Sequence, residues 1–163
     1  MPGKDPNGKQ LREHVIYLLD GGGAHARFDD VVKNMPENVR GVKPDGLEHS
    51  AWMLLEHLRL AQWDILEFSC NSKYKAPEWP KDYWPKLEVP PTAAAWNKSI
   101  QQFRKDLKAM QDLVANPKTN LFARIPWGDG QTILREALLL ADHNAYHIGQ
   151  LVDVRRLLGD WKG

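Results

Sequence analysis

The sequence has a single cysteine, Cys70, almost no net charge and no long apolar run. One thiol cannot close an internal disulfide, and with no leader in view the expected compartment is the reducing cytoplasm. Lys and Arg number 22 against 21 Asp and Glu, and no basic block stands out, which argues against a nucleic-acid groove built on charge. The longest apolar runs, such as Ala137–Ala141, are far too short to span a bilayer. Repeats of fixed period are missing, as are strand-like alternations and low-complexity tracts beyond one Pro/Trp-rich stretch. A chain of 163 residues is expected to form one domain, 1–163, around one core.

What is present is helical periodicity. The Gly/Pro/Lys-rich segment 1–9 reads as flexible. From Gln10, Leu11, Val15, Leu18 and Leu19 recur at helical spacing until Gly21-Gly22-Gly23 stops the helix. A shorter helical piece is expected near Ala26 to Met35, ahead of Pro36. A second long helix runs from about Ser50 to Cys70, with Leu54, Leu58, Ala61, Ile65 and Phe68 inward and Glu56, Arg59 and Glu67 turned away. Asn71 to Pro91 carries five prolines together with Trp79, Tyr83 and Trp84, a density no long helix survives. Loops of that length in compact domains often serve as lids or rims.

Helix returns from Thr92 to about Ala115 on the stripe Trp96, Ile100, Phe103, Leu107, Met110, and Asn116-Pro117 ends it. The last helix is expected from about Gln131 to Leu158, closed by Gly159. Its apolar band is wide, with Ile133, Leu134, Ala137, Leu138, Ala141, Ala145, Ile148 and Val152. Arg135, Asp142, Tyr146 and Asp153 mark its wet side. Four substantial helices without strands predict an all-α four-helix bundle, its long Pro/Trp-rich loop joining the second and third long helices.

Three histidines stand out against this pattern. In ADHNAYHIGQ, His143 and His147 are one helical turn apart, so both imidazoles leave the last helix in the same direction. His57 falls inside the apolar stripe of the second long helix. A lone inward histidine is most simply a core residue with a hydrogen bond. A pair at one-turn spacing, joined by a third from another buried helix, favours a shared cation, because bundle interiors build metal sites from facing helices. Three buried imidazoles without partners would each leave a polar group unsatisfied, at about 1–3 kcal/mol. Three nitrogens without a thiolate suit zinc, nickel, iron or copper, and leave a coordination position for water or substrate. HNAYH differs from the HExxH of zinc peptidases: Asn144 stands where the general-base Glu would be, and an amide cannot take up the proton.

The remaining candidates are weaker. His49 is turned roughly 80° from His57 on a helix and reads as surface or helix start. His14 and His25 have no companions. Asp64, seven residues after His57, could hydrogen-bond a ligand imidazole or simply form a polar edge. Asp142 points elsewhere on its helix, and Cys70 reads as a small buried residue. The aromatics of PEWPKDYWP could roof a pocket or cap the end of the bundle, and GDGQT lacks the Lys and preceding strand of a phosphate loop.

In order and spacing, HSAWMLLEHLRLAQWDILEF, EWPKDYW and GDGQTILREALLLADHNAYHIGQLVDVRRLLG resemble the DinB-like (YfiT-like) superfamily of metal-binding four-helix bundles, from about Leu11 to Leu158. In that family one histidine of the second helix and an HxxxH pair of the last bind a divalent metal, usually zinc or nickel. The resemblance carries these positions over as His57, His143 and His147. Some relatives are S-transferases using a low-molecular-weight thiol such as bacillithiol or mycothiol; others are described as metal-dependent hydrolases, and many have no known activity. The expectation is therefore a divalent-metal protein of hydrolase type acting on a small-molecule substrate, with no nucleic-acid or membrane partner. Two alternatives stay open: an S-transferase with a thiol cosubstrate, and a non-enzymatic metal-binding stress-response module. Pairing into a homodimer is compatible with the pattern, which places no interface.

Overall fold

The computed structural model describes residues 6–161. The chain folds as an all-α bundle of four long helices, α1 (Pro6–Leu19), α3 (Ala51–Cys70), α4 (Ala93–Ala115) and α5 (Ile133–Leu157), with a short helix, α2 (Phe28–Val32), and a single 3-10 turn (Glu37–Val39) between the first two. Among the described residues there is no strand, only an isolated antiparallel bridge between Arg124 and Thr132. None of these helices is long and apolar enough to cross a membrane.

The helix ends follow from local chemistry. Ser50, Thr92 and Thr132 cap α3, α4 and α5, their hydroxyl oxygens accepting from the backbone N–H of Met53, Ala95 and Arg135 at 3.3, 3.0 and 3.2 Å. Gly21 follows α1 at φ +94°, where the Gly22 N–H can close back on the Tyr17 carbonyl at 2.8 Å. At the C-terminal end of α4, Arg12 of α1 donates to the carbonyls of Val114, Asn116 and Thr119. One side chain thereby satisfies acceptors that a helix end leaves open.

Two sequence expectations change here. Of the segment 1–9 read as flexible, residues 1–5 lie outside the described residues, and α1 begins at Pro6, where a missing N–H costs a first turn nothing. Helix near 26–35 shrinks to five residues, because Lys33 is extended and Asn34 takes φ +54°. Leu18 and Leu138 were assigned to apolar faces, yet they are 49% and 43% exposed. The seam of α1 is the row Leu11–Val15–Leu19, and Leu18 stands about 100° from Leu19 on the flank.

Among the described residues the core has three regions, the smallest of them Leu121, Ile125 and Ile133. α3 packs against α4 and α5, and α1 packs against α4 and α5 as well. Around Trp52, Leu55, Leu58, Trp96, Phe103 and Leu151 the interior is closed by α2, whose Phe28 stacks on Phe103 with centroids 3.9 Å apart. Val15, Leu19, Met110, Val114, Ala137 and Leu140 form the second region under α1. Glu56, expected to face away, is instead buried between α3 and α4. Arg59 and Ser99 satisfy it there with hydrogen bonds of 2.8–2.9 and 2.5 Å, so the charge does not lie bare in the core.

Candidate metal centre

Where α3 crosses α5, the rings of His57, His143 and His147 converge, a placement their helical registers make possible and the packing of the two helices completes. The Nε2 atom of His57 lies 3.1 Å from Nε2 of His147 and 3.1 Å from Nε2 of His143. His57 and His147 are buried, and His143 is half-buried. Among the described residues, no fourth His, Cys, Asp or Glu joins this group.

The opposite edges of the rings determine what those nitrogens are. Nδ1 of His57 donates to the Tyr83 carbonyl at 2.8 Å, and a carbonyl can only accept. Nδ1 of His147 likewise donates to Oε1 of Gln150 at 2.6 Å. In a neutral imidazole the proton cannot also sit on Nε2, so two bare lone pairs face each other across 3.1 Å. That contact is repulsive unless a cation or a proton lies between them. A proton is disfavoured: burial first, then neighbouring ring charge, brings the pKa of His143 down to about 3. Burial brings His147 down to about 4 against the opposing Gln150 hydrogen bond, and lowers His57 as well, against the Tyr83 carbonyl. All three rings are therefore neutral near pH 7, the form in which histidine binds metal. Nitrogens at about 2.0–2.1 Å from one tetrahedral ion lie about 3.3 Å apart, close to the 3.1 Å that separates His57 from each of the other two.

The surroundings are aromatic. Trp84 stacks flat on His57, centroids 4.0 Å apart at 2°, and His49 packs on Trp84 at 4.1 Å. Tyr146 meets His147 edge-on at 4.9 Å, and Trp79, 67% exposed, stands 6.5 Å from His57. The Pro/Trp-rich loop 71–92 thus lies over His57. Asp64 does not touch an imidazole; its two carboxylate oxygens accept the hydroxyls of Tyr74 and Tyr83 at 2.5 and 2.6 Å.

Asn144, between the two α5 histidines, is turned into the core, where Nδ2 donates to Gln62 Oε1 at 3.0 Å. His49 stays outside the triad, His14 and His25 take no part in it, and Asp142 is exposed. Cys70 is exposed at the end of α3, not buried as expected, because the helix stops there and the chain turns off at Asn71. Partial desolvation of its sulfur, then the neighbouring Glu67 charge, raises the thiol pKa, which leaves little thiolate.

Sequence reasoning missed the hydrogen-bond partners of the histidine rings, the Tyr83 carbonyl and Gln150, although it offered the aromatic stretch holding Trp84 as a possible roof. Gln150 was within reach of it, lying three residues after His147 on one helix face. Tyr83 was not, because a backbone carbonyl from an irregular loop leaves no side-chain signal.

Residues 23–151 match the family model described as DinB superfamily. No curated protein and no solved structure matches the chain at a significant level.

Proposed function

The chain belongs to the DinB superfamily, and we propose that within it His57, His143 and His147 hold one divalent cation, zinc or nickel, at the centre of a metal-dependent enzyme of hydrolase type. The observation that carries this reading is the pair of lone pairs on His57 and His147, turned toward each other by hydrogen bonds on the far side of each ring. Protein hydrogen bonding alone gives no reason for that arrangement, whereas a shared cation does.

A bound divalent ion supplies Lewis acidity, which lets water or a small thiol lose its proton near neutral pH. The residues of the chain do the rest. Tyr83 and Gln150 hold two rings in the ligating tautomer, as outer partners of metal-bound histidines generally do. Three protein ligands, with no fourth among the described residues, favour an open, catalytic position over a closed structural one. Asp64, with both oxygens engaged by tyrosines, is not free to act as a base, and Asn144 faces Gln62. Neither Asp64 nor Asn144 is therefore placed to take a proton from a nucleophile at the three Nε2 atoms. The single exposed thiol suits a reducing compartment, which supports a cytoplasmic location.

Metal analysis of the purified protein, beside His57→Ala and His147→Ala, tests the reading. The expected result is one equivalent of metal in the wild type and a large loss in each variant. Equal metal content in all three would remove the site.

A further inference from the structure

The loop that covers His57 has little backbone structure of its own. Its internal backbone hydrogen bonds are local turns: Tyr74 to Asn71, Asp82 to Glu78 and Tyr83 to Pro80. It is held to the helices by side chains. Ser50 Oγ donates to the Glu88 carbonyl at 2.6 Å at one end, and Asp64 takes the two tyrosine hydroxyls near the histidines. Tyr83 is gripped twice within one residue. Its hydroxyl goes to Asp64, and its carbonyl takes the Nδ1 proton of His57. The next residue, Trp84, supplies the face on which the same imidazole lies flat.

Building on the metal-site reading above, we infer that Asp64 is a positioning residue of the centre, acting through Tyr83 to set the tautomer and aim of His57 without touching any ligand. Asp64 and His57 share α3 and nearly the same face, so the helix sets a fixed baseline between them. From that baseline the carboxylate fixes the tyrosine side chain, the side chain fixes its own carbonyl, and the carbonyl fixes the ring. A carboxylate accepting from two phenols forms stronger hydrogen bonds than neutral pairs do, so the tether is stiff. Both phenols are the donors of this arrangement, since an ionised carboxylate can only accept. Tyr74 shares the carboxylate without reaching a histidine, so it braces Asp64 and does not bear on the ring.

The test uses Asp64→Ala and Tyr83→Phe, the second keeping both ring and carbonyl while cutting only the tether. In the metal-free protein, two-bond nitrogen–proton correlation spectra of the imidazoles report the His57 tautomer. The wild type should show one Nδ1–H form, and both variants a mixture. Zinc affinity by chelator competition should fall about 10- to 100-fold in each variant, the range typical of lost outer partners. The cobalt-substituted variants should show shifted ligand-field bands, a change that a merely loosened loop would not cause. The double variant should match Asp64→Ala alone, because both cut one chain of contacts. An unchanged tautomer with unchanged zinc affinity in Asp64→Ala would overturn the assignment, and so would losses that add. If Asp64→Ala does not fold, Tyr83→Phe decides by the same criteria. A wild type that takes up no zinc would end the metal reading, while the tautomer spectra would still decide the role of Asp64.

Discussion

Asn144 donates from Nδ2 to Oε1 of Gln62 at 3.0 Å, in a part of the bundle where both side chains are buried. Gln62 passes the connection on, its Nε2 donating to the Phe103 carbonyl at 2.6 Å, so α5, α3 and α4 are linked beside the histidines by one polar thread. Replacing Gln62 with Ala strands the Asn144 amide, while the Phe103 carbonyl, in mid-helix, keeps its place in the α4 ladder. The expected loss is about 1–3 kcal/mol for the one group left without a partner away from water. Urea unfolding of Gln62→Ala measures it, and an unchanged midpoint would show that the thread carries no stability.

The same thread predicts the fate of Asn144→Glu, which would write HExxH into α5. The new carboxyl would enter the core opposite Gln62 and not the space beside the three Nε2 atoms. A destabilised protein without peptidase activity is expected. Casein or peptide cleavage by a stably folded Asn144→Glu protein would contradict this geometry.

The metal-free protein should lose stability in acid through its histidines. His143 and His147 have folded pKa values of about 3 and about 4, against an ordinary value of 6.5, because burial disfavours the charged ring. The unfolded chain therefore binds more protons than the folded one across that interval. Stability from the neutral rings is fully present above pH 6.5 and drains away as pH falls toward 4 and then 3. Urea midpoints in chelator should drop between pH 7 and pH 5 in the wild type. In His143→Gln, which removes one titrating ring, they should drop less, and equal slopes would count against the shift.

Glu56 has the carboxylate version of the same linkage. Burial pushes its pKa up, but hydrogen bonds from Arg59 and Ser99 and the guanidinium charge outweigh that and hold it below 4.5. Its contribution is present above the unfolded pKa and disappears as pH falls through the lower folded value. Glu56→Gln should cost about 1–3 kcal/mol at pH 7, as loss of a charged hydrogen bond does, and much less at pH 3. Denaturant unfolding at the two pH values checks the direction.

Hydrolase and S-transferase readings differ in what occupies the open position. Zinc- or nickel-loaded protein offered an activated ester should turn it over without added thiol. If product forms only with a small thiol present, and carries that thiol, the transferase reading replaces the hydrolase one.

The long helices, their stops at glycine and Asn-Pro, and the histidine spacing could be read directly from the sequence, since apolar period, chain breakers and an i, i+4 pair are local properties of the chain. His57 could be added because an imidazole inside an apolar stripe is conspicuous wherever the helix packs. Burial of Glu56, exposure of Leu138 and the outward thiol of Cys70 could not be read, because each depends on which neighbour covers that side of the helix. The grip of Tyr83 and Asp64 on His57 is further still from local pattern. It joins a backbone carbonyl, a phenol and a carboxylate from separate parts of the chain, and hydrogen bonds between such groups exist only after the loop has folded onto α3. Sequence alone determined which side chains could act on a cation; tertiary packing decided which way their lone pairs point.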